Sequence, residues 1–173
     1  MADLLAMASL EHIPFIAISA FAGVRHAELQ RLDWAHVKRK AGIIEIRPGT
    51  AKTASRRVIP ILPNLRKWLA GNWRESGEVC TYANMVEQFV ELAERVNGDR
   101  KKRAAKNGGK FEGFKWKHNG LRHSFISYRV AETQNVAQVA LEAGNTPQMI
   151  FKHYRELVRP AEGKQWFKIV PKD

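Results

Sequence analysis

The chain has 173 residues, 45% of them hydrophobic, which suits one domain with a real core. Its 29 Lys and Arg against 17 Asp and Glu leave a net charge of +12, which points to a polyanionic partner, the alternative being a basic protein kept soluble by its charge. A single cysteine, Cys80, excludes an internal disulfide and fits a reducing compartment, and the longest apolar run, Ile13 to Val24, is too short to span a bilayer, so no membrane partner is expected.

Leu4, Leu5 and Met7 open a first helix almost at the chain start, where Met1-Ala2-Asp3 lacks the positive n-region of a signal peptide. The chain is therefore expected to be a fragment from which an upstream domain has been removed. Ile13 to Ala22 is apolar nearly all round and reads as a buried helix ended by Gly23. Arg25 to Leu32 is a short helix with Leu29 and Leu32 inward, and Asp33-Trp34 starts a turn. Ile43, Ile44 and Ile46 form one β-branched strand, and Val58, Ile59 and Ile61 form another. Between them Arg47 to Arg57 forms a loop, placing Lys52 on the turn of a small antiparallel sheet. Pro63 starts a helix through about Gly71, and the stripe Val86, Phe89, Val90, Ala93 and Val96 marks a helix over residues 82 to 96.

Asn97 to Lys117 is rich in Lys, Arg and Gly and reads as a basic loop with aromatics Phe111, Phe114 and Trp116. Such a run is either solvated charge or, beside nucleic acid, a phosphate-contacting segment through Arg100, Lys101, Lys102, Arg103, Lys115 and Lys117. Asn119 can cap a helix from Gly120 to about Ala131, and Val136, Val139, Ala140 and Leu141 mark the next, ended by Gly144. Thr146 caps a short helix with Pro147 in its first turn and Met149, Ile150 and Phe151 on its buried side. Tyr154 leaves the end of that helix beside Lys152 and His153, where it either packs or meets a phosphate. A phenol has an ordinary pKa of about 10, so cationic neighbours would have to activate it as a nucleophile. Residues from about 157 to 173 form a tail with Trp166, Phe167, Ile169 and Val170 as a docking patch. No internal repeat is present, and the fold class is mainly α with a small antiparallel β-sheet.

Arg25, Lys52, Arg122 and Tyr154 all fall at element ends. Two arginine forks can hold the non-bridging oxygens of a phosphodiester, a lysine can protonate a leaving alkoxide, and a tyrosine can form a covalent link. No metal-ligand set and no Gly-rich phosphate loop stands beside them.

With these residues in place, the chain resembles the catalytic domain of the tyrosine recombinase (phage integrase) family over nearly its whole length, residues 1–173, and that family's separate N-terminal DNA-binding domain is expected to be missing from it. F-A-G-V-R-H-A-E-L-Q-R-L-D-W resembles the first arginine box, which implies Arg25 as a catalytic arginine and Glu28 as its supporting acid. T-A-K-T-A-S-R-R-V-I-P-I resembles the lysine segment and implies Lys52. N-G-L-R-H-S-F-I-S resembles the second box and implies Arg122, and G-N-T-P-Q-M-I-F-K-H-Y resembles the final box and implies Tyr154 as nucleophile. Two positions depart from the pattern. Asn119 stands where the second box usually has His, and Asn145 where the final box usually has His or Trp.

The resemblance implies site-specific recombination or integration. Tyr154 would attack one strand of double-stranded DNA and form a 3′-phosphotyrosine, Arg25 and Arg122 would stabilise the transition state, and Lys52 would protonate the leaving oxygen. The bond energy is retained in the intermediate, so no cofactor, ATP or metal is needed. It further implies a synaptic tetramer on DNA, with the C-terminal segment reaching a neighbour or folding back in cis, and a bacterial or phage-encoded protein in the cytoplasm, associated with the nucleoid. His118, adjoining Asn119, is the preferred substitute for the missing histidine. His123, about 100° round the helix from Arg122, would support the site from behind. Two alternatives stay open: a DNA-binding module of the same fold that lost catalysis, and a type IB topoisomerase-like strand relaxer.

Overall fold

The computed structural model describes residues 1–48, 56–82, 84–154 and 158–172. Its centre is the helix that sequence reads as apolar all round. That helix, α2 (Ile13–Ala22), buries every residue from Pro14 onward and ends at Gly23, whose left-handed φ of 64° reverses the chain. Before it lies α1 (Ala2–Met7), which inserts Leu4 and Leu5 into the core. After it come α3 (His26–Leu29) and a 3₁₀ turn (Trp34–His36), whose N-cap Asp33 accepts the Ala35 N–H at 2.7 Å. Leu29 and Leu32 point inward as expected, although α3 is shorter than the pattern suggests.

Three short strands follow, β1 (Val37–Lys38), β2 (Ile43–Ile46) and β3 (Arg57–Pro60), antiparallel in that spatial order, with Ile44 opposite both Val37 and Ile59. The two-residue β1 carries too little pattern to be read from sequence. Lys52 lies outside the described residues.

Next comes α4 (Pro63–Trp68), which lies against α2 and buries Leu65 and Trp68, the Trp68 indole N–H donating to Ile169 O at 3.0 Å. The long α5 (Met85–Lys106) corrects two expectations. Its buried stripe is Met85, Phe89, Leu92, Ala93 and Val96, while Val86 and Val90 are exposed. The helix also runs ten residues past Val96, so Arg100 to Arg103 are helical and not loop. Lys, Arg and Ala are strong helix formers, and a basic run without an apolar stripe still propagates a helix that is already nucleated. Arg100 and Arg103 clamp α5 to Asp3 of α1 at 2.9 and 3.0 Å.

The C-terminal part holds α6 (Gly120–Thr133), α7 (Val136–Ala143), α8 (Pro147–Tyr154) and α9 (Pro160–Trp166). Phe125 of α6 packs so tightly on Gly23 that a β-carbon there would sit 2.2 Å from its ring. On α8 the inward residues are Ile150 and Tyr154, whereas Met149 and Phe151 are about half exposed, which corrects the expected face. The helix is so short that only positions i and i+4 reach the core. The tail packs in cis. Trp166 stacks on Tyr128 of α6 and donates its indole N–H to the Ala20 carbonyl of α2 at 2.9 Å, and Phe167 lies edge-on to Phe125. No helix among the described residues is long and apolar enough to cross a membrane.

Candidate active site

Three successive carbonyls at the C-terminal end of α7 organise the site. A helix end leaves its last carbonyls without intrahelical partners and carries partial negative charge, so cations gather there. Here each carbonyl takes a different arginine. Glu142 O accepts from Arg57 Nε at 3.1 Å, Ala143 O from Arg122 Nη2 at 2.7 Å, and Gly144 O from Arg25 Nη2. Gly144 makes this possible by turning the chain at a φ of 64°. The side chain of Asn145 then links two of the arginines, its Oδ1 accepting from Arg25 at 3.0 Å and from Arg122 at 3.1 Å. Guanidinium groups only donate, so the amide oxygen must face them, and the Asn145 NH₂ is left as a donor.

Arg25 occupies the N-cap position of α3, and its guanidinium is partly exposed. Glu28, one turn on, binds it twice. The carboxylate accepts the Arg25 backbone N–H at 2.9 Å and the Arg25 Nη1–H at 3.0 Å. Arg122, in the first turn of α6, is buried and also donates to the Gly23 carbonyl at the end of α2. Burial, with the charges of Arg25 and Arg57 beside it, pushes the Arg122 guanidinium down to about 10, still cationic at neutral pH.

Tyr154, the last residue of α8, is mostly buried, and its phenol faces an open cavity of about 640 Å³. Arg25, Arg122, Asn119, Asn145, His123 and His153 share the walls of that cavity with it. His123 stacks on the Tyr154 ring at 5.7 Å between centroids, and its Nδ1 is hydrogen-bonded to the phenol oxygen. Burial pushes the phenol upward, partly offset by the charge of Arg122. Burial, and then Arg122 and His118, push the imidazole downward, so it is neutral at pH 7. A neutral imidazole whose Nδ1 faces a phenol can accept its proton.

Several sequence-based assignments land elsewhere. His118 is exposed, lies against the His26 ring at 5.4 Å and does not line the cavity, so the imidazole facing Tyr154 is that of His123. Asn119 holds the N-cap position of α6, as expected, but its side chain makes no capping hydrogen bond there. It adopts a left-handed φ of 55°, and its Oδ1 accepts the His26 N–H at 3.2 Å, satisfying a free donor at the start of α3. Of the basic residues, Lys101, Lys102, Lys115 and Lys117 are exposed, while Arg100 and Arg103 are engaged by Asp3. Trp116, between the last two lysines, stacks on Phe89 at 4.7 Å. No group of three or more His, Cys, Asp or Glu among the described residues is placed to hold a metal ion.

Sequence reasoning missed Arg57. It is 8% exposed, and its fork grips both oxygens of Glu28, Nη1 to Oε1 at 2.8 Å and Nη2 to Oε2 at 2.6 Å. Burial alone would raise the Glu28 carboxyl, but the hydrogen bonds and charge of Arg57, joined by Arg25, hold it at about 2. The available signal is strand alternation, since Arg57 shares a face of β3 with the buried Ile59 while Val58 points outward.

Comparison with solved structures settles the fold. XerA recombinase superposes with a TM-score of 0.66 at 16% identity, over 99% of this chain and 63% of that one. This is the tyrosine recombinase catalytic-domain fold. The integrase of transposon Tn1549, in complex with transposon right end DNA, matches at a TM-score of 0.59 and 13% identity, over 89% of this chain and 57% of its own. The integrase from mycobacterium phage Brujita matches at 0.52 and 16%, over 99% and 56%. The chain thus spans about 56% to 63% of the length of these recombinase-fold structures. No family model and no curated protein matches it.

Proposed function

We propose that this chain is the catalytic domain of a site-specific DNA recombinase or integrase that cleaves and rejoins one strand through a 3′-phosphotyrosine. The observation that carries the reading is the shared cavity in which a tyrosine phenol, with an imidazole on its oxygen, opens beside two buttressed arginines. Its fold likeness to recombinases and integrases, one of them bound to transposon DNA, supports the same reading. The phenol oxygen of Tyr154 attacks the scissile phosphorus, its proton passes to His123 Nδ1, and the 5′-oxygen leaves with a proton from Lys52. Arg25 and Arg122 hold the non-bridging oxygens, where a preorganised donor stabilises charge that develops in the transition state. The Asn145 NH₂ adds a neutral donor. A second strand's 5′-hydroxyl reverses the sequence, with His123 returning its proton to the phenol. Exchange between duplexes takes place in a tetramer on DNA, in the cytoplasm of a bacterial or phage-infected cell on the nucleoid.

The test is incubation with a nicked suicide duplex, which loses the attacking hydroxyl after cleavage. A denaturation-resistant protein–DNA adduct is expected. A second reading draws on Asn119, whose side chain is committed to α3 where the family pattern has a histidine. Duplex binding without any adduct would establish that reading, a DNA-binding module of the same fold. Relaxation of supercoils without recombinant product would instead indicate a strand relaxer.

A further inference from the structure

Arg25 is held from two sides. Glu28 takes its backbone N–H and one Nη, and the corner after α7 takes the other Nη through Gly144 O and Asn145 Oδ1. Arg57 touches both sides. Its fork fixes the Glu28 carboxylate plane, each oxygen being shared between Arg57 and Arg25. Its Nε holds Glu142 O, and its guanidinium lies against Gly144, where an added β-carbon would sit 3.1 Å from it. A bidentate fork sets orientation as well as distance, which a lysine ammonium cannot do.

We propose that Arg57, reaching in from β3, is a positioning residue that fixes Arg25 by locking both sets of acceptors around it. This rests on the reading of Arg25 as a phosphate-holding residue. Arg57 itself does not line the cavity shared by Arg25, Arg122 and Tyr154, so it acts through its neighbours and not on the phosphate. The depressed Glu28 carboxyl agrees with such a clamp.

The experiment has two arms on the full chain. In the first, without DNA, NMR follows rotation of the Arg25 guanidinium. The parent should show restricted Nη groups, and Arg57→Lys should free them while the backbone spectrum stays folded. Unchanged restriction in Arg57→Lys would overturn the proposal. Should that variant not fold, Arg57→Gln, which removes the charged fork and leaves the direct Glu28–Arg25 contacts their partners, is read by the same signal. In the second arm, single-turnover cleavage at saturating protein should fall about 10²-fold in Arg57→Lys, the effect of a roughly 1 Å misplacement, with duplex affinity little changed. The double variant Arg57→Lys/Glu28→Gln should be no slower than the slower single. Losses that multiply would make the two residues independent and sink the idea. A parent that forms no adduct would defeat the functional reading, and the DNA-free arm would still decide the role of Arg57.

Discussion

In the proposed reaction Tyr154 and His123 divide the proton problem between them. The phenol is pushed above its ordinary pKa and the imidazole below its own, so at pH 7 the pair sits as neutral donor and neutral acceptor. The parent cleavage rate should therefore rise only below about pH 6.5, where His123 loses its proton, and then stay level through neutrality. In His123→Ala the rate at pH 7 should drop about 10²-fold or more and climb steadily with pH as hydroxide takes over deprotonation. A His118→Ala variant should keep the parent rate at neutral pH, since His118 does not line the cavity, and should only move the acid limb upward as the His118 charge no longer presses on His123. A single-turnover pH–rate series for all three separates the two histidines. Glu28 makes a further prediction, on stability. Its carboxyl is held at about 2 in the fold against an ordinary 4.5. A depressed acid stabilises above its unfolded pKa, so this contribution is full above about pH 4.5 and is lost as pH falls towards 2. In Glu28→Gln that part of the acid unfolding limb should vanish, as read by melting temperature against pH.

The corner between α7 and α8 is the element that matters most, and sequence shows part of it. Gly144, Thr146 and Pro147 announce a helix end and a new start, and Thr146 Oγ1 does accept the Met149 N–H at 3.2 Å. What no local pattern reveals is that the ending carbonyls receive three arginines from three other elements. That arrangement depends on residues far apart in the chain, and an arginine bound for the interior is written with the same letter as one left in water. The same limit explains α5, whose basic end looks like loop because it lacks an apolar stripe. Gly144→Ala should cost about 1–2 kcal/mol for an L-residue held in the left-handed region, and should also slow cleavage because the new methyl meets Arg57. Urea titration combined with the adduct assay checks both. Gly163 of α9 rests so closely on α6 that a β-carbon would lie 2.7 Å from Tyr128 O. Gly163→Val should lift α9, lower the melting temperature and shift the Trp166 fluorescence to the red.

Over the whole molecule, a charge of +12 is divided between internal and external work. Arg25, Arg57, Arg122 and Arg129 meet carboxylates and carbonyls inside the fold, and Arg100 and Arg103 tie α5 to α1. Lys101, Lys102, Lys115 and Lys117 stay exposed and are the ones expected to meet phosphates. Replacing these four by Gln should weaken all duplexes alike and reduce the slope of log K against log salt by about 0.9 for each phosphate no longer neutralised. Asp3→Ala should instead lower stability and leave that slope unchanged.

The most direct measurement on the central claim is identification of the residue joined to DNA. After trapping on a nicked suicide duplex, nuclease and protease digestion followed by mass spectrometry should find the phosphonucleotide on the peptide that contains Tyr154. Tyr154→Phe should bind the duplex with parent affinity and give no adduct. An adduct that persists in Tyr154→Phe, or one that maps to Tyr82 or Tyr128, would contradict the account.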